Sequence, residues 1–374
     1  MQKTALALTL ATSLLLTLSA CQPSSDPTGK SDSTATNTIK QKQKATPIDV
    51  AQPTTVASTA IDAQTCIALN KAMQKIGSTS KIEAIYAIQQ QLEACLPTAN
   101  NAEVLALLKN YQALYERFLG PDNYMDDEDF YAIVETMEAG KKVTAEQLEV
   151  LAPRIQYLVK LVETKADVSI LYIGEGIFVF HHDLKAMADI FTPYLAKDQQ
   201  VFIQQMAKDN QQIFWNDAAI DISFDEVIAR AEFWQDYIQR YPNSSFIADG
   251  NILFDFYRHA LFFGSDNTQW TDDAVHEFIS PEYEQAMQKL AKRANSILAR
   301  DARSLFKFMA MSDSQRQQTY PVPEFDEDGD EIQEWSKVRH QLKMALPIPL
   351  SLPWEEDGNR ECSNGIICVD YNVE

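Results

Sequence analysis

Three groups of side chains have the makings of chemistry. The densest is Asp326-Glu327-Asp328-Gly329-Asp330-Glu331, where carboxylates alternate around one glycine. Hard oxygen donors at that spacing suit Ca²⁺. Asp326, Asp328 and Asp330 are the candidate ligands, and Glu334 could close a short loop. A solvated acidic turn accounts for the same residues, and Glu355-Glu356-Asp357-Gly358-Asn359 has the same character. The second group is the histidines: His181, His182, His259, His276 and His340. Asp255 with His259, and Asp272 with His276, fall one turn apart on expected helices, while His181, His182 and Asp183 adjoin. A transition-metal site needs three or four converging ligands. These spacings impose no convergence, and His276-Glu277 lacks the second histidine of a metalloprotease helix. The third is Glu175 between Gly174 and Gly176. It could act as a general acid on glycan if a second carboxylate stood about 5–9 Å away, but a tight turn explains it equally well. There is no GxSxG elbow, no phosphate-cradling loop and no dinucleotide fingerprint.

The acidic run resembles the opening of an EF-hand loop. It departs from that pattern at Glu331, where glycine is needed, and at Lys337, where the closing bidentate Glu belongs. Pro321 and Pro323 interrupt the entering helix. The expectation is therefore no bound metal and no cofactor.

The five cysteines are Cys21, Cys66, Cys95, Cys362 and Cys368. Cys21 closes a segment with Lys3 at its start, an apolar run over Thr4–Leu18 and small residues before it, which reads as a secretory signal, 1–20. Leu18-Ser19-Ala20-Cys21 resembles the lipobox of bacterial lipoprotein precursors. The resemblance implies that Cys21 becomes a lipidated N-terminus, and Gln22 after it implies sorting to the outer membrane. Four cysteines then remain, with three possible full pairings. The local one is expected, Cys66 with Cys95 across a helical hairpin and Cys362 with Cys368 around the Asn364-Gly365 turn. An oxidising compartment permits both; four reduced, buried thiols are the alternative. No CxxC is present.

Residues 21–60 are rich in Ser, Thr and Pro and lack aromatics, the composition of a linker. As a coil, such a tether spans roughly 35 Å, and fully stretched about 130 Å. The chain has 32 basic and 53 acidic side chains, net -21. Setting aside Lys3, Lys30, Lys40, Lys42 and Lys44 and Asp26, Asp32 and Asp49 leaves 27 basic and 50 acidic, net -23, in residues 61–374. That charge argues against nucleic acid and against a polybasic lipid anchor.

The elements that must position these groups read as mainly α: an irregular multi-helix bundle or array over 61–320, with a small β-hairpin and an extended, acidic, Pro-containing C-terminal appendage over 321–374. Helices are expected at 62–76, 80–96, 101–118, 127–139, 144–165, 183–195, 198–208, 223–241, 246–263, 271–278, 282–310 and 331–345. Val168–Ile173 and Ile177–Phe180 flank the glycines as a hairpin, with a buried helical kink as the competing reading. Phe254, Phe256 and Tyr257 point different ways around one helix, which makes that helix central or leaves an aromatic patch exposed. Tyr241-Pro242-Asn243-Ser244 resembles the turn of a tetratricopeptide-type helix pair over 224–260, which implies that Pro242 ends one helix and Asn243 or Ser244 caps the next. The function expected is that of a lipid-anchored envelope protein on the outer membrane, facing the periplasm. Its partners would be the membrane, through the lipid, and another envelope protein, in an interaction or structural role. An envelope glycan hydrolase, or a calcium- or small-ligand-binding module, is the alternative.

Overall fold

Polar caps and apolar stripes at helical spacing account for most of the chain that a computed structural model describes, residues 63–120, 124–125, 128–174, 176–212, 214–216, 218–325 and 329–350. Cys21, the 21–60 segment, Glu175, Asp326, Asp328, Cys362 and Cys368 lie outside the described residues. The described chain is mainly helical. It begins with α1 (Ala63–Met73), α2 (Ile82–Cys95) and α3 (Asn101–Leu119). Asn100 caps α3 by accepting from the Glu103 amide, and Glu103 returns the bond to the Asn100 amide. Cys66 of α1 and Cys95 of α2 form a disulfide, with Cα atoms 5.6 Å apart.

Next come β1 (Tyr124–Met125), α4 (Glu128–Glu138), α5 (Ala145–Glu149) and α6 (Pro153–Glu163). The single helix expected over 144–165 is two, because Pro153 cannot donate an internal amide bond and instead starts α6. The hairpin is present as β2 (Val168–Gly174) and β3 (Ile177–His182), antiparallel with Val168 opposite His182 and Ile170 opposite Phe180. β1 adds a short third strand on the far side of β3. Phe178, Phe180 and His182 alternate inward along β3, and Phe130 packs on both phenylalanines.

The rest of the body contains α7 (Leu184–Phe191), α8 (Lys197–Asp209), the two-residue strands β4 (Trp215–Asn216) and β5 (Ala219–Ile220), α9 (Phe224–Arg240), α10 (Ile247–Phe263), α11 (Pro281–Ala291), α12 (Ile297–Met309), α13 (Asp313–Thr319) and α14 (Glu334–Ala345). Phe254, Phe256 and Tyr257 are all buried, so α10 is central. The α9–α10 turn departs from the expected capping. Ser244 bonds the Tyr237 hydroxyl at 2.8 Å and accepts from the Phe246 amide, and α10 starts only at Ile247. Neither Asn243 nor Ser244 is its N-cap. The expected helix over 282–310 is a hairpin of α11 and α12. Asn295 takes a left-handed φ of 56°, and Ser296 caps α12 while its hydroxyl donates to Gln235. α14 packs on α12, and Leu342, Leu346 and Ile348 are buried in the common core.

Candidate functional site

The helix expected over 271–278 does not form, and what replaces it builds one wall of a cleft. Asp272 Oδ1 accepts the amides of His276 and Glu277, at 2.7 and 3.0 Å. Thr271 bridges Phe278, and Val275 has φ 52°. A side-chain acceptor has thus taken the amides that a helix would pair with carbonyls. The freed carbonyls go to Arg316 of α13, which is fully buried. Its guanidinium donates to Val275 O at 2.7 Å, to Ala274 O and to Phe308 O at 3.2 Å. One guanidinium nitrogen also lies 3.0 Å from His276 Nδ1, which is 3.2 Å from Met309 O, and His276 Nε2 lies 3.0 Å from Asp313 Oδ1.

This clasped loop faces α14 across the end of α10. Phe262, Phe263 and buried Trp270 form the floor, with the Trp270 indole donating to Ala260 O at 2.8 Å. Gln269, Asp272 and Asp273 line the loop wall, while Trp335, Arg339 and Leu342 line the helix wall. These last three stand at i, i+4 and i+7, one face of α14. The space enclosed is about 80 Å³, room for a few water molecules or one small side chain or ring. Trp335 is 57% exposed at the rim. His259 flanks the cleft, stacked on Phe263 with ring centroids 4.6 Å apart. Burial first, then Lys343 and Arg339 of α14, push its pKa down to about 4, so it is neutral at pH 7.

The structure disperses the residues that looked reactive in sequence. Asp255 pairs with Arg258 at 3.8 Å. His181 Nε2 lies 2.6 Å from Ser169 Oγ, and Asp183 caps α7 through the Lys185 amide. His182 is buried and stacked face-on against Tyr115, with centroids 3.4 Å apart and planes 7° from parallel. Neither of its ring nitrogens has a hydrogen-bond partner. Burial, and to a lesser extent His181, hold its pKa well below the ordinary value. His340 Nδ1 lies 2.7 Å from Ser336 O. Of the calcium candidates, Asp330 is exposed, one residue before Glu331 of the Phe325–Glu331 bridge, and Glu334 is the exposed first residue of α14. Among the described residues no group of three or more His, Cys, Asp or Glu converges on a metal position, and no helix is long and apolar enough to cross a membrane. The cleft residues Trp335, Arg339 and Leu342 were visible in sequence only as a helical stripe. Their opposite wall lies some seventy residues earlier in the chain. The chain matches no protein-family model, no curated protein and no solved structure.

Proposed function

We propose that this chain is a lipid-anchored protein of a bacterial cell envelope that works by non-covalent recognition, binding another envelope protein through the cleft beneath α14. The lipobox-like Leu18–Cys21 supports the anchor, and the outer membrane facing the periplasm is its proposed place. The Cys66–Cys95 disulfide is in keeping with an oxidising compartment. One observation carries the recognition reading: an exposed tryptophan and an arginine share one helix face over an aromatic floor. Exposed Trp and Arg beside a pocket are the residues that dominate binding energy at interfaces.

The test is mild crosslinking in cells of the full lipidated chain with a C-terminal tag. The expected outcome is one envelope protein recovered in near-stoichiometric amount, reduced by Cys21→Ser and lost with Trp335→Ala. Recovery of the chain alone, or capture that ignores Trp335, counts against it.

A further inference from the structure

Carboxylates outnumber cations by nearly two to one in residues 61–374, so an arginine here has no shortage of partners. Every described arginine but one has a partner, a carboxylate or a backbone carbonyl. Arg230 lies between Asp209 and Glu226, Arg258 between Asp255 and Asp301, and Arg293 meets Glu232. Arg117, Arg154, Arg303 and Arg316 donate to backbone carbonyls, and even exposed Arg240 and Arg300 meet Asp236 and Asp301. Arg339 alone, among the described arginines, makes no hydrogen bond or ion pair, although it is half-buried and lines the cleft. Asp272 and Asp273 line the facing wall, and neither pairs with it.

The cleft therefore holds a cation and two carboxylates apart over an apolar floor. The Arg339 guanidinium has no protein acceptor among the described residues and is still open to the cleft, and its forked donors match a carboxylate. A simple anion, phosphate included, would be repelled by Asp272 and Asp273. A simple cation would be repelled by Arg339. A ligand with both charges satisfies both walls, and an apolar body on it covers Trp335 and Phe263. We infer that the cleft binds a zwitterionic centre, an ammonium and a carboxylate on one carbon with an apolar substituent. A free amino acid supplies that group, and so does a wall peptide in which a diamino acid leaves an ammonium and a carboxylate free on one side-chain carbon. This rests on the reading of the cleft as a recognition site.

The test uses the full lipidated chain in detergent, titrated with leucine, with N-acetyl-leucine amide and with a soluble wall peptide that ends in an ammonium-and-carboxylate centre. Tryptophan fluorescence is the readout, checked by calorimetry. Saturable binding of a zwitterion is expected, with the blocked amide weaker by roughly ten- to a hundredfold, the loss expected for charged hydrogen bonds. Arg339→Ala should weaken the zwitterion to a similar degree, and Asp273→Asn by several-fold. Both side chains reach solvent, and far-UV circular dichroism confirms that the variants fold. Trp335→Phe should remove most of the fluorescence change. Tighter binding of the wall peptide assigns the wall as the source, and equal binding assigns the free amino acid. Equal affinity for the blocked amide, an unchanged Kd in Arg339→Ala or a flat titration overturns the inference. If the titration is flat while protein capture still depends on Trp335, only the ligand class fails. If capture ignores Trp335 as well, the recognition reading fails with it.

Discussion

Three residues govern how the body holds together. Arg316 is the first. It ties α13 to the carbonyls of Ala274 and Val275 and to the end of α12, so Arg316→Ala leaves several buried acceptors without donors. Each costs about 1–3 kcal/mol, and a loss of roughly 3–5 kcal/mol is expected in urea unfolding; below about 1 kcal/mol, the clasp is not structural. Cys66 is the second. Closing a loop of 29 residues stabilises by roughly 3–4 kcal/mol in the chain-entropy view. Cys66→Ser should lower the midpoint by the matching amount, and reductant should lower the variant by less than it lowers the wild type, the difference being the share of the Cys66–Cys95 bond. His182 is the third. In the folded state burial keeps it neutral, whereas the unfolded chain protonates it near pH 6.5. As pH falls below about 6.5, the unfolded state takes a proton that the fold refuses, so stability is lost. His259 adds in the same direction between about 6.5 and its folded value of about 4. Asp209 works the other way, because burial lifts it to about 6 and its contribution fades as pH rises through that value. His182→Phe keeps a ring against Tyr115 and removes one titration. The fall in urea midpoint between pH 7 and pH 5 should be shallower in that variant, and an equal fall would mean that His182 already meets water in the fold.

At the scale of elements, local signals were legible wherever local forces decide. α3, α9 and α10 follow from their apolar spacing, and the hairpin follows from its β-branched and aromatic strands around glycines. The 271–278 segment misled because Asp272–His276 has helical spacing, while the deciding group, Arg316, lies forty residues away. α11 and α12 read as one helix because no proline or glycine separates them; the break is held by Asn295 and by Gln235 from α9. The cleft was illegible for the same reason, since one wall is a stripe on α14 and the other exists only after the loop is clasped. Gly264 is where this assembly is most exposed to a single change. It ends α10 at φ 67°, and a Cβ there would overlap the Thr268 carbonyl oxygen, which accepts the Ser265 amide at 2.8 Å. Gly264→Ala must strain the backbone and push the 265–270 turn away, at a cost of about 2–4 kcal/mol. Because Trp270 follows that turn directly, the variant should also show altered tryptophan fluorescence at temperatures where it remains folded. A variant as stable as wild type, with an unchanged spectrum, would mean the turn relaxes freely.

At the scale of the whole molecule, the controlling quantity is the excess of carboxylates. A net charge of -23 in residues 61–374 repels itself, and repulsion of this kind opposes the compact state. The attractive pairs do not balance it evenly. Those at the surface, Lys185–Asp189 and Arg240–Asp236, are single-turn helix pairs open to solvent and to screening by salt. The stronger ones, Arg230 with Asp209 and Arg258 with Asp301, are buried, where salt screens them little. Added salt therefore weakens the repulsion more than the attraction. Raising ionic strength from about 0.01 M to about 0.15 M shortens the screening length from roughly 30 to 8 Å, and Tm should rise by several degrees. The same salt should weaken any ligand held by Arg339, which sits at a half-open cleft within reach of counterions. Opposite responses of fold and cleft to one variable separate the two kinds of electrostatics. A Tm that falls with salt would mean that surface pairs dominate the field, and the charge excess would then have no bearing on stability.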